Sequence, residues 1–253
     1  MATKESLELT ESVGGRRYYN IKKDGKLYKL PSVTSVISAM TDHSAIDEWR
    51  KRVGEEEADR ISRFSANRGT CMHQKLEYWF TSNIEDKGKR LADVNQKMLE
   101  FITENGYTKE ELACGNGLFN SLMWCGFFER VAEVVGMEDT LYSLTCGGYA
   151  GRCDFIMKNH DGEYVLVDFK TARRKKKKEW ILNYYLQLGA YFVAYYQLTH
   201  IKVHHAELWI SVEQDTPQLV YVSEEELVEN AKTFLRLCKA YHEQYDNLLL
   251  ESK

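Results

Sequence analysis

With 253 residues, 43% of them hydrophobic and 28% charged, the chain is long enough for one domain with a sizeable core and has an ordinary globular composition. Its net charge of −4 argues against a protein that coats nucleic acid indiscriminately, and no apolar run approaches the ~20 residues of a membrane span. There is no proline-rich linker, and the polar N-terminus lacks a signal-peptide apolar stretch, so a cytoplasmic location is expected.

The first expected element is a β-hairpin. Residues 16–22 and 26–30 flank Asp24-Gly25, a turn pair because glycine takes positive φ without steric cost. Pro31 and Ser32 then open a helix over 33–40, with Ser32 as its N-cap. Helices are expected over 47–64, 70–80 and 92–104, and an apolar one over 118–135, where Phe119, Leu122, Trp124, Phe127 and Phe128 offer core surface. A short strand at 140–145 precedes a second hairpin, made of 154–158, the turn Asp161-Gly162, and 163–170. A long helix with an aromatic stripe is expected over 179–198, then strands over 203–212 and 218–222. Ser223 and Glu226 form a capping box that opens a last helix to about 249. This order predicts an α/β sandwich with a mixed central sheet. Within one domain, 1–136 hold the hairpin and a helical part, 137–222 the sheet core and 223–253 the C-terminal helix.

The second hairpin carries the chemistry. Strand alternation puts Tyr164, Leu166, Asp168 and Lys170 on one face and Val165, Val167 and Phe169 on the other. A carboxylate and an ammonium beside apolar neighbours are costly in an ordinary core. They make sense if a metal ion and a phosphate sit there, with Asp154 as a second carboxylate. His73 and Glu77 share one helix face, and Gln187 and Tyr191 another. The bland alternatives are a surface hairpin, a hydrogen-bonded helix histidine and ordinary aromatic packing. Arg173, Arg174, Lys175, Lys176, Lys177 and Lys178 form an unbroken cationic run, read either as a phosphate-gripping loop or as a solvated one. None of the six cysteines forms a C-x-x-C pair, so no zinc site is expected, and free thiols are.

Gly151-Arg152-Cys153-Asp154 followed by Asp168-Phe169-Lys170 resembles the signature of the PD-(D/E)XK nuclease superfamily. Asp154 occupies the upstream acid slot, Asp168 the second and Lys170 the lysine slot, while the family proline before the first acid is absent. Four segments resemble the RecB-like branch, including phage exonucleases and the mitochondrial genome maintenance exonuclease. They are Pro31-Ser32-Val33-Thr34, the run from Arg68-Gly69-Thr70 to His73, the stretch from Glu138 through Gly148 to Gly151, and the Gln187 to Tyr191 helix segment.

The resemblance implies a restriction-endonuclease-like core with an N-terminal β-hairpin and helical elaboration. It implies Mg²⁺ or Mn²⁺ held by His73, Asp154, Asp168 and the Phe169 carbonyl, with Lys170 near the attacking water and the phosphate. Hard divalent ions suit the aspartates, and an imidazole ligand biases the site toward Mn²⁺. Glu138, Gln187 and Tyr191 become accessory residues, and Arg68 with the run from Arg173 to Lys178 becomes a DNA contact. Some RecB-like relatives hold an iron–sulfur cluster with C-terminal cysteines, but only Cys238 lies beyond Cys153, so none is expected. The implied function is a metal-dependent DNA exonuclease acting from single-stranded ends in phage-type replication, recombination or degradation, in a host cytoplasm. A structure-specific endonuclease on the same scaffold is the alternative within the class. A catalytically silent nucleic-acid-binding module is the alternative outside it, and it has no need of His73, Asp154, Asp168 and Lys170 together.

Overall fold

Short-range signals set most of the elements. The structure, a computed structural model, describes residues 8–13 and 15–250, with side chains over 15–245. The start of the polar N-terminal stretch lies outside the described residues. Strand β1 (Glu8–Val13), which the sequence does not announce, pairs with β2 (Arg16–Lys23). Asp24 and Gly25, both at positive φ, turn the chain into β3 (Lys26–Pro31). Helix α1 (Val33–Met40) starts where expected, the Ser32 hydroxyl accepting from the Ser35 amide.

The helices that follow are divided differently from expectation. Gly54, at φ 88°, separates α2 (Ser44–Val53) from α3 (Glu55–Phe80), and α3 runs unbroken through Gly69. Helix α4 (Lys87–Asn105) precedes α5 (Lys109–Trp124). The helix expected over 118–135 is a correction at both ends. Thr108 and Glu111 form a capping box that starts α5 earlier, and Gly126, at φ 78°, turns the chain soon after Trp124. The β-branched Val134 and Val135 then belong to strand β4 (Glu133–Ser143). The remaining order is β5 (Tyr149–Lys158), β6 (Tyr164–Ala172), α6 (Leu182–Thr199), β7 (His205–Val212), β8 (Gln218–Val222) and α7 (Glu224–Leu250).

The main sheet has the order β4-β5-β6-β7-β8. Only β6 and β7 are parallel, and α6 makes the crossover that a parallel pair requires. Leu166, Ile156 and Leu208 bury one face under Val36, Leu188 and Phe234 from α1, α6 and α7. Val165, Val167, Phe169 and Trp209 bury the other under Met72, Leu76 and Phe119 from α3 and α5. Covered on both sides, β7 is buried along its whole length. The N-terminal strands dock through a parallel bridge from Ser32 to Ala150, which brings β2 and α1 to the start of β5. Among the described residues, no helix is long and apolar enough to cross a membrane.

Candidate metal centre

The site forms where β5 and β6 part. Their backbone pairing reaches Phe155 and Val167. Beyond that point the Asp154 carboxylate takes over, its Oδ2 accepting from the Phe169 N–H at 2.8 Å. On the other side, β4 carries Glu138 between the pairs Met137–Phe155 and Asp139–Cys153, so it lies beside Asp154. Glu138 has φ 53°, a left-handed conformation that is rare for a non-glycine residue inside a strand. Helix α3 contributes His73, whose Nδ1 is 3.8 Å from Glu138 Oε1 and 3.8 Å from Asp154 Oδ2. The His73 ring stands edge-on to Phe169, with centroids 5.8 Å apart. One donor atom each from His73, Glu138 and Asp154 lies within 4.8 Å of the others.

The family resemblance gives Glu138 only an accessory place, yet the geometry groups it with His73 and Asp154. Asp168 stands next to this group and is 1% exposed. Its Oδ2 is 2.5 Å from Lys170 Nζ, but neither carboxylate oxygen accepts a well-aligned hydrogen bond. Burial pushes the Asp168 carboxyl up to about 6, against the pull of Lys170 and with the help of the Asp154 charge. Burial would lower the His73 imidazole, but the Asp154 and Glu138 carboxylates outweigh it and raise its pKa. Burial likewise acts to lower the Lys170 ammonium, and Asp168 and Asp154 more than reverse this. Burial leads the shift of Asp168, whereas the neighbouring carboxylates lead those of His73 and Lys170 upward, against burial. Orphaned carboxylate oxygens beside a convergent imidazole and two acids fit a divalent cation with mixed oxygen and nitrogen ligands.

Beyond Asp154 and Glu138 lies a polar cleft of about 300 Å³, walled by Arg17, Ser32, Thr34, Arg152, Gln187 and Tyr191. Arg152 Nε contacts Glu138 Oε2 at 2.8 Å, across from the oxygen that faces His73. Arg17 Nη2 donates to Thr34 Oγ1 at 2.9 Å. Gln187 Nε2 donates to Tyr191 Oη at 3.4 Å. Tyr191 closes on the backbone of Gly151, where a Cβ would stand 2.8 Å from its ring, so that glycine is required by the close approach.

The cationic run is pinned down and is not a free loop. Lys175 Nζ lies 3.1 Å from Asp215 and 2.9 Å from Thr216 Oγ1, and Lys178 pairs with Glu226 at 2.6 Å. The Gln218 amide clamps the Lys176 backbone from both ends, at 2.6 and 3.1 Å. Lys177 lies over the Trp180 ring at 5.4 Å. Arg173 and Arg174 remain exposed and line a groove of about 840 Å³ with Lys176 and Trp180. Arg68 is 2% exposed at the edge of this groove and pairs with Glu213. No local pattern in the sequence reveals these acidic partners, because Asp215, Glu226 and Glu213 all lie far along the chain from their cations.

The profile of the PD-(D/E)XK nuclease superfamily matches residues 49–251. No curated protein matches the sequence significantly. Among solved structures, a "Putative exonuclease" from Eubacterium rectale is similar over 68% of this chain and 68% of its own, with a TM-score of 0.44 and 13% identity. The crystal structure of SSO0001 is similar over 66% of this chain and 84% of its own, with a TM-score of 0.33 and 16% identity. On a profile match that spans most of its length, with the mixed, helix-flanked sheet of the restriction-endonuclease-like fold, this chain belongs to the PD-(D/E)XK nuclease superfamily, whose members use divalent metals.

Proposed function

We propose that this chain is a divalent-metal-dependent deoxyribonuclease that hydrolyses phosphodiester bonds from single-stranded ends. The observation that carries this reading is the convergence of His73, Glu138 and Asp154 within 4.8 Å, beside the buried Asp168–Lys170 pair. His73, Asp154, Asp168 and the Phe169 carbonyl are the proposed ligands, with Glu138 added. A bound Mg²⁺ or Mn²⁺ would supply an activated water and neutralise charge on the phosphate. The imidazole among the carboxylates favours Mn²⁺. Lys170, paired with Asp168, would orient or activate the attacking water or stabilise charge developing on the phosphate. Arg173 and Arg174, exposed on the groove, would grip the strand, while Arg68, buried and paired with Glu213, and the pinned Lys175 and Lys178 would shape the groove wall. Trp180, 62% exposed, offers a stacking face to an unpaired base, which supports a single-stranded substrate. The cleft on the far side of the site is walled by β2 and the start of α1, which supports entry of a strand end.

The test compares a linear single-stranded oligonucleotide with a closed single-stranded circle, each with Mg²⁺ and with Mn²⁺. The linear strand is expected to be degraded, faster with Mn²⁺, while the circle resists. A circle cut as readily as the linear strand would replace this reading with an endonuclease.

A further inference from the structure

The side of α3 turned away from His73 carries a second cluster. Lys75 is 2% exposed, and its Nζ donates to Asn95 Oδ1 at 2.8 Å and Asn116 Oδ1 at 2.7 Å. It also lies 4.7 Å from the centre of the Phe119 ring. Neutral amides and a ring face solvate an ammonium without neutralising it. Among the described residues, no carboxylate is paired with this one. A buried charge without a counter-charge is unfavourable, and a residue needed only to tie three helices together could be neutral.

A cleft of about 310 Å³ opens onto this ammonium. It continues into an apolar groove of about 940 Å³ that holds Phe80, Phe128 and Val134, and Leu91, Met123 and Trp124 line both. Trp124 is 76% exposed and Leu99 50%, so the wall and rim present apolar surface to solvent. None of the residues that converge on the metal centre lines either cleft.

We propose that this double groove docks a segment of a partner protein that carries a carboxylate beside a bulky apolar side chain. The acid enters the smaller cleft and supplies the charge that Lys75 lacks. The apolar side chain lies in the groove against the packed Phe80–Phe128 pair, whose ring centroids are 5.0 Å apart, with Trp124 as the aromatic anchor shared by the two clefts. A nucleic-acid strand fits less well, because phosphate binding needs a row of free cations: the smaller cleft offers only Lys75, buried among amides, and in the larger groove Arg90 lies over the Trp79 ring and Lys87 is 3.7 Å from Glu129.

The experiment titrates the whole protein with acetyl-Asp-Leu-Phe-amide, and separately with acetyl-Asn-Leu-Phe-amide, while backbone amide resonances are followed by NMR. Saturable shifts confined to the C-terminal part of α3, α4, α5 and the stretch from the turn after Trp124 to the start of β4 are expected with the Asp peptide. Binding is expected to weaken at least tenfold with the Asn peptide and in Lys75→Met. Trp124→Ala, an exposed position that does not threaten folding, should weaken binding comparably and still cleave DNA. Equal affinity for the two peptides, binding indifferent to Trp124→Ala, or phenylacetate binding as tightly as the Asp peptide would overturn the proposal. So would the absence of saturable shifts at millimolar peptide.

Discussion

Lys170 and Glu138 are the residues whose placement says most about the chemistry. The Lys170 ammonium is charged and aimed at Asp168, so its loss removes electrostatic support from the reacting phosphate. Lys170→Ala should lower the single-turnover rate by ~10²–10⁴, and excess metal should not restore it. A rate recovered by raising Mn²⁺ would show that the lysine only supports ligand geometry. Glu138 presents a different case, because its backbone is strained for a purpose. A left-handed non-glycine residue costs of the order of 1–3 kcal/mol, and here that conformation sends one carboxylate oxygen toward His73 and the other toward Arg152. Glu138→Gly should therefore weaken Mn²⁺ binding in a calorimetric titration while raising the Tm of the metal-free protein. A lower Tm with unchanged Mn²⁺ affinity would make Glu138 a structural residue. The sequence offers only its acidity and its place before Asp154. The left-handed turn that aims it sits inside β4, between residues that pair regularly with β5, and no local pattern announces it.

At the scale of elements, the cationic run behaves as a strap fastened across the β7–β8 turn and the start of α7. Lys175 and Lys178 already neutralise Asp215 and Glu226, so removing either lysine frees an acid as well as deleting a cation. Arg173 and Arg174 are exposed on the groove instead and are the better candidates for gripping phosphate. Every phosphate that a variant no longer neutralises should flatten the log–log salt dependence of binding by about one unit. Arg173→Ala with Arg174→Ala should flatten the slope for an end-bearing oligonucleotide, and more than Lys175→Ala with Lys178→Ala does. An unchanged slope in the arginine pair would place the DNA path elsewhere. Elements with self-contained signals were legible in the sequence. The Ser32 cap, the Asp24-Gly25 and Asp161-Gly162 turns and the Ser223 capping box all stand where the residues put them. The boundary between α5 and β4 was not, because the apolar stretch from Leu118 to Val135 satisfies a helix and a buried strand equally until Gly126 is known to turn. The gap expected between helices over 47–64 and 70–80 is closed, because α3 runs through it with Gly69 inside, facing Thr171 Oγ1 at 3.6 Å from where a Cβ would be.

Across the whole molecule, the turn that follows α5 is tied to the sheet through a buried acid. Glu207 of β7 is 1% exposed and accepts from Trp209 Nε1 at 2.7 Å and Arg130 Nε at 3.1 Å, with His205 Nε2 at 3.5 Å. Arg130 belongs to the turn between α5 and β4, so this cluster ties the helical half to the centre of the sheet. Burial alone would raise the Glu207 carboxyl, but hydrogen bonds from His205, Arg130 and Trp209 overcome it and hold it at about 2. A folded-state value below the unfolded one means that the ionised carboxylate favours the fold. The contribution is complete above the unfolded value of 4.5 and disappears as the pH falls through the folded value. The depression from 4.5 to about 2 corresponds to about 3 kcal/mol at neutral pH. Glu207→Gln should therefore lower stability at pH 7 by an amount of that order and shift the acid-unfolding transition, with the gap to wild type narrowing steadily below pH 4.5. Denaturant unfolding of the two metal-free proteins across this range measures it, because the titration of Asp168 is common to both and cancels in the difference. A gap that stays constant with pH would mean that Glu207 stabilises through packing and neutral hydrogen bonds instead of its charge.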